Sequence, residues 1–179
     1  MNLTLRIKTD LIAAMTTEVA LTKSGDDPDK LAFAQDTKNA CRSIISRYPE
    51  LGKKAKDITD EEVMRLCKKI IKEEKGRLLF QDKHLTATDV EGLTPKEYNK
   101  FIDEKLIELD EVLTSRFISC FEKYLPPMIS EASIKKFIND NVDFSKLKSP
   151  MQAIGIVKNH FGESVDGKMV KAIIDQMKG

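Results

Sequence analysis

The sequence predicts an all-α protein, with an N-terminal helical bundle followed by a small three-helix C-terminal domain. Apolar residues recur at the three- and four-residue spacing of amphipathic helices, and several of these runs begin with a helix-capping signature. No segment of useful length alternates apolar and polar residues as a strand would. The 179 residues are 41% hydrophobic and 33% charged, which is enough apolar material for a core.

Two helices are predicted in the first fifty residues. The stop signal between them is Ser24-Gly25-Asp26-Asp27-Pro28, and the second helix ends before Tyr48-Pro49 because the residue preceding a proline is disfavoured in a helix. One inner stripe is predicted on each helix: Leu3, Ile7, Leu11, Met15 and Val19 on the first, and Leu31, Ala34, Cys41, Ile44 and Ile45 on the second.

A third helix begins at a capping box. Thr59 can accept from the amide of Glu62, whose side chain can reach back to Thr59. The predicted inner side is Val63, Leu66, Cys67, Ile70 and Ile71, and the predicted outer side is basic: Arg65, Lys68, Lys69, Lys72 and Lys75.

A long loop with one short helix is predicted from Gly76 to Thr94. Thr94-Pro95-Lys96-Glu97 then has a threonine cap, a proline at the first helical position and a glutamate at the third, and it predicts one long helix from Lys96 to Tyr124. Its predicted buried stripe is Phe101, Ile102, Leu106, Leu109, Leu113, Phe117 and Phe121.

Leu125-Pro126-Pro127 ends that helix, so the domains are placed at 1–125 and 126–179. Three short helices follow, at 131–139, 151–160 and 168–178. Their predicted caps are Ser130 for the first, Ser149 with Pro150 at the first helical position for the second, and Asp166 or Ser164 for the third.

The charge distribution gives the first candidate site. Lys and Arg total 30 against 29 Asp and Glu, but residues 38–77 hold 12 basic and 7 acidic residues, and residues 78–127 hold 6 and 10. The basic side of the third helix can contact phosphates, or it is an ordinary solvated helix face. With one lysine of the last helix, the candidate nucleic-acid contacts are Arg65, Lys68, Lys69, Lys72, Lys75 and Lys168.

Catalytic and metal sites are not indicated. Cys41, Cys67 and Cys120 are widely spaced and predicted to be buried thiols, and His84 and His160 are assigned structural or solvated roles. Paired carboxylates such as those at 60–62 and 108–111 lie in caps or on exposed faces, where pKa values stay ordinary. No cofactor is predicted.

The segment Val165-Asp166-Gly167 before the last helix allows two interpretations. Asp166 is a preferred cap residue, and Met169, Val170, Ile173, Ile174 and Met177 predict a docked helix. Free amides, Gly167 and Lys168 would instead suit an anion, although the Asp166 carboxylate would compete for the same amides.

The sequence shows no apolar leader and no stretch of about 20 apolar residues, which predicts no membrane partner and a cytoplasmic or comparable reducing location.

Four blocks of the sequence resemble the YqeY-like protein family, which is related to the C-terminal tail of the B subunit of glutamyl/aspartyl-tRNA amidotransferases. They are the opening helix at 5–15, the capped basic helix at 58–72, the Tyr124-Leu125-Pro126-Pro127-Met128-Ile129-Ser130-Glu131 hinge, and the turn and last helix at 165–170. The resemblance implies a helical N-terminal domain joined at this Tyr-Leu-Pro hinge to a three-helix domain, and a link to tRNA.

The resemblance leaves three functional hypotheses. The first is a non-catalytic module that binds tRNA or a tRNA-handling complex such as the amidotransferase, and the second is a protein–protein adaptor without RNA binding. The third, an amidotransferase-type carbon–nitrogen ligase, has no catalytic constellation to support it, so whether the chain is an enzyme stays open. Ser164 replaces the basic residue of the family's turn, which weakens the expectation of phosphate contact there.

Overall fold

Helices make up all the regular secondary structure in the described part of the protein. The computed structural model describes residues 2–147, 149 and 151–178, and the all-α prediction is confirmed. None of the helices in this part combines the length and apolarity that a membrane span needs. The α-helices in these residues are α1 (Leu3–Ser24), α2 (Pro28–Ser46), α3 (Asp60–Gln81), α4 (Pro95–Glu108), α5 (Arg116–Glu122), α6 (Glu131–Asn141), α7 (Met151–Phe161) and α8 (Gly167–Lys178).

The chain divides into two compact units between Tyr124 and Leu125. The first unit contains α1 to α5, with α1 packed mainly on α2, and α3 and α5 closing around them. Its buried side chains come from all five helices and include Ile7, Ala34, Cys41, Ile44, Cys67, Ile70, Leu106 and Phe121.

The second unit has a core of its own, to which α6, α7, α8 and the segments between them contribute. The buried side chains are Ile134, Ile138, Val142, Ala153, Val157, Val165, Val170, Ile173 and Ile174.

Local capping determines where most of the helices begin. The Thr59 and Thr94 side chains accept from the amides of Glu62 and Glu97, and both glutamates complete their capping boxes. Ser130 accepts from the amide of Ser133 at 3.3 Å. Ser149 caps α7, accepting from the Met151 amide at 3.3 Å, whereas the predicted role of Pro150 lies outside the described residues.

The prediction of one helix from Lys96 to Tyr124 is wrong, because the chain leaves the helix after Glu108 and resumes at Arg116. In a continuous helix the Asp110 carbonyl would accept from the Thr114 amide. Here the Thr114 amide donates to Val112 at 2.8 Å, and the Asp110 carbonyl accepts from Lys75 Nζ at 3.3 Å. Ser115 is extended and caps α5, accepting from the Ile118 amide at 3.1 Å.

The predicted inner stripe of α1 is also wrong in part. Ile7 is buried and Leu3 and Leu11 are partly buried, but Met15 and Val19 are exposed. Four residues turn a helix by about 400°, so each four-residue step drifts about 40° around the axis. The inward side instead follows steps of three, four and three residues through Thr4, Ile7, the partly buried Leu11 and Ala14.

Candidate binding surfaces

The basic side of α3 is closely paired with carboxylates from other parts of the first unit. Lys69 Nζ lies 2.9 Å from Glu50, which belongs to a short 3₁₀ turn after α2. Lys72 Nζ lies 2.7 Å from Asp103 of α4. These pairs place negative charge beside the lysines, which reduces the attraction of this surface for phosphate.

Lys75 is not on the outer side of α3 as predicted. Its side chain is 11% exposed, and its ammonium lies 2.6 Å from an Asp110 carboxylate oxygen, in the segment between α4 and α5. Lys75 therefore anchors the break in the chain described above, and a phosphate could reach it only by displacing that contact.

Two further residues of the predicted nucleic-acid surface also lie on α3. Arg65 is exposed and Lys68 is partly buried, and both take part in further interactions within the protein. Exposed ion pairs such as Lys69–Glu50 and Lys72–Asp103 are each worth about 0–1 kcal/mol, so the lysines can exchange these carboxylates for another anion.

At the start of α8, the Asp166 carboxylate accepts from the Lys168 amide at 2.7 Å, and the Asp166 carbonyl accepts from the Val170 amide at 3.0 Å. This confirms Asp166 as the cap. Lys168 is exposed and lies in the second unit.

The predicted apolar stripe of α8 is mostly confirmed. Its buried members are Val170, Ile173 and Ile174, and Met177 is partly buried. Met169 is exposed, because it lies at the outer edge of the stripe.

A second apolar stripe runs along the solvent side of α1. The exposed fractions are 53% for Leu5, 67% for Ile12, 41% for Met15 and 54% for Val19. Leu5, Ile12 and Val19 are seven residues apart, so they drift only about 20° per step and form one line. Contiguous exposed apolar side chains are characteristic of a surface that binds another molecule.

The charges on α1 are unevenly disposed around this stripe. Asp10 and Glu18 are its two acidic residues, and both face inward partners: Asp10 pairs with Lys123 at 3.1 Å, and Glu18 pairs with Lys38 at 2.6 Å. Lys8 and Lys23 are exposed and form no ion pair within the described residues. The outer face of α1 is therefore apolar and basic.

A polar network centred on Tyr124 ties α1, α2 and the end of α5 together. The buried Tyr124 hydroxyl donates to Asp10 Oδ2 at 2.7 Å and lies 3.3 Å from Cys41 Sγ. The pKa of Tyr124 is raised, mainly because the hydroxyl is buried and to a smaller extent by its hydrogen bonds with Cys41 and Asp10.

A groove of about 370 Å³ lies beside this network. Its lining includes Asp10, Ala14, Thr17, Phe33, Thr37 and Lys123.

The three thiols are free and buried, as predicted. Burial raises the pKa of Cys41, and it raises the pKa of Cys67 to about 12. Both thiols are therefore protonated near neutral pH, which makes them poor nucleophiles. In the part of the chain that the structure describes, there is no group of three or more His, Cys, Asp or Glu side chains close enough together to bind a metal ion.

The two histidines lie in different units of the chain. His84 is exposed in the connection that follows α3. His160 is exposed at the end of α7, where its ring stacks on Phe137 with 4.2 Å between the ring centres.

The outer stripe of α1 was not predicted from the sequence. The signal was present in the seven-residue spacing of Leu5, Ile12 and Val19. It was obscured because Met15 and Val19 also fit the four-residue series that begins at Leu3.

A scan of the chain against protein-family models gives no match, and a search of the curated proteins also gives none.

Proposed function

We propose that this chain is a non-catalytic adaptor that binds another protein through the outer face of α1. The observation that carries this proposal is the line of four large apolar side chains, Leu5, Ile12, Met15 and Val19, on a helix whose opposite side is already packed in the core. Keeping such a stripe in water costs about 25 cal/mol per Å² of apolar surface, which a bound partner would recover.

The disposition of the reactive groups supports the non-catalytic part of the proposal. The Cys41 and Cys67 thiols are buried with raised pKa values, and the Glu62 carboxylate is occupied by the α3 cap and by Lys53 at 2.6 Å. The free buried thiols also favour a reducing, cytoplasmic location.

A tRNA-binding module is the second candidate, and the exposed row Arg65, Lys69 and Lys72 on α3 favours it together with the YqeY-like resemblance. The carboxylates of Glu50 and Asp103 count against it, because RNA would have to displace them and would then face their negative charge.

We also propose that the joint at Tyr124 and Leu125 corresponds to the Tyr-Leu-Pro hinge of that family, between an N-terminal bundle and a three-helix domain. The division of the chain at this point and the non-helical backbone from Leu125 to Ser130 support this assignment. Limited proteolysis should cut first in this segment and leave both halves protected, and a first cut elsewhere would count against the assignment.

Bulk tRNA binding by the purified protein separates the two functions. It is measured at about 50 mM and about 200 mM salt for the wild type, for Lys68→Glu/Lys72→Glu, and for the control Lys96→Glu/Lys100→Glu on α4. If the chain is an adaptor, it shows no salt-sensitive tRNA binding. A protein partner captured by chemical cross-linking then stays bound after nuclease treatment, and both variants still bind it. Micromolar tRNA binding that collapses with salt, and that only the α3 variant loses, would replace the adaptor with the tRNA module.

A further inference from the structure

We propose that the outer face of α1 binds one amphipathic helix of a partner protein, with an apolar stripe flanked by Asp or Glu. This inference rests on the proposed adaptor function and specifies the chemistry of its partner. It is carried by the combination of the apolar stripe with Lys8 and Lys23, two bases that form no ion pair with the residues that the structure describes.

The spacing along α1 defines the length of the occupant. Leu5, Lys8, Ile12, Met15, Val19 and Lys23 follow one another at steps of three, four, three, four and four residues, so all six lie on one side of the helix. Lys8 and Lys23 are 15 residues apart, which is about 22 Å along the axis. The partner therefore needs about four helical turns, with carboxylates near both ends.

The charges distinguish this occupant from a second copy of the chain. Two α1 helices packed face to face would bring Lys8 and Lys23 of both copies to one seam. The two acids within α1, Asp10 and Glu18, are held in other pairs and do not compensate these lysines. Like charges in such a seam are unfavourable, whereas acidic flanks on a partner helix would pair with both lysines.

The apolar side chains also suit a helix. Leu5, Ile12 and Val19 form a straight ridge, and the unbranched Met15 side chain can adapt to the groove that it meets. Thr9 and Thr16, which are exposed on one flank of the ridge, are small enough to let a partner helix approach closely.

The test uses a synthetic, fluorescently labelled 18-residue helix with Leu at heptad positions a and d and Glu at e and g. A matched peptide has Lys at e and g. Repulsion among the glutamates keeps the first peptide from self-association at neutral pH. Binding is measured by anisotropy with the full-length protein. We expect the Glu peptide to bind at least about tenfold more tightly than the Lys peptide.

Ile12→Glu should weaken Glu-peptide binding by at least about tenfold, because it places a carboxylate in the middle of the stripe. The matched control is Ile107→Glu on α4, since Ile107 is 62% exposed and Ile12 is 67% exposed. The control should leave binding unchanged. Lys8→Glu should weaken the Glu peptide and strengthen the Lys peptide, a reversal of preference that loss of folding cannot produce.

Four results would overturn the inference. Absence of Glu-peptide binding, or equal binding of both peptides, would remove the charge argument. If sedimentation shows a dimer that is lost in the Ile12→Glu variant, the outer face of α1 binds a second copy of the chain. Binding to anionic phosphatidylserine vesicles that depends on Ile12, without peptide binding, would assign it to a lipid surface. A protein partner retained equally by Ile12→Glu would leave the adaptor function standing and move its interface away from α1.

Discussion

Removing the hydroxyl group of Tyr124 tests whether its polar network stabilises the first unit. Tyr124→Phe deletes one oxygen that donates to Asp10 Oδ2 at 2.7 Å and contacts Cys41 Sγ at 3.3 Å. A hydrogen bond to a charged group contributes about 1.5–3 kcal/mol net. Because Asp10 keeps its contact with Lys123 at 3.1 Å and is partly reached by solvent, we expect a loss of about 2 kcal/mol, toward the lower end.

The assay is urea unfolding of the full chain followed by circular dichroism, in which a loss of this size lowers the midpoint by about 1 M. Tyr48→Phe is the matched control. The Tyr48 hydroxyl is buried and has no hydrogen-bond partner in the part of the chain that the structure describes. The Thr4 hydroxyl interacts with it, but the geometry of the two groups falls short of a hydrogen bond. The control should therefore shift the midpoint by less than about a quarter of that amount. Equal losses for the two variants, or no loss for Tyr124→Phe, would refute the role assigned to the Asp10 hydrogen bond.

Three further predictions concern the core, the caps and a thiol. Leu113→Ala should cost about 2–5 kcal/mol in urea unfolding, because Leu113 is fully buried in the break between α4 and α5. A loss below about 1 kcal/mol would contradict its place in the core. The Lys53 ammonium and the Thr59 amide hold the pKa of Glu62 below its usual range. The ionised carboxylate therefore contributes its full stabilisation above about pH 4.5, and this stabilisation is lost as the pH falls through the pKa of the folded state. Glu62→Gln should accordingly flatten the decline of the urea midpoint below that pH, and an unchanged decline would contradict the assignment. With a pKa near 12, the Cys67 thiol should resist a disulfide reagent at pH 8 until urea unfolds the chain, and rapid native labelling at Cys67, mapped by mass spectrometry, would contradict its burial.

The features that the sequence predicted well are local ones. A cap such as Thr59 or Thr94 is formed within four residues, so both partners of its hydrogen bonds stand together in the sequence. The end of α2 before Tyr48 has an equally local cause, in the proline that follows it. Capping and proline effects act whatever the tertiary context, which explains why the helix starts were predicted better than the helix faces.

The features that were missed depend on partners far away in the sequence. Asp110 is 35 residues from Lys75, and its contact with that lysine accompanies both the break after α4 and the burial of the Lys75 side chain. Glu50 and Asp103 neutralise Lys69 and Lys72 from separate elements. Periodicity places a lysine on the polar side of a helix, but it carries no information about which carboxylate will face it.

The hydrogen bond between Tyr124 and Asp10 joins residues 114 positions apart and so has a consequence for synthesis on the ribosome. α1 and α2 are adjacent in the chain and can pair early, but the Asp10 carboxylate stays exposed to water until the segment that ends at Tyr124 has emerged from the ribosome. α5 has seven residues, too few to persist as an isolated helix, so it gains its structure by docking onto α2 and α3. The first unit therefore closes as the second begins to emerge, and a nascent chain that stalls before Tyr124 would expose the inner faces of both helices to chaperones and proteases.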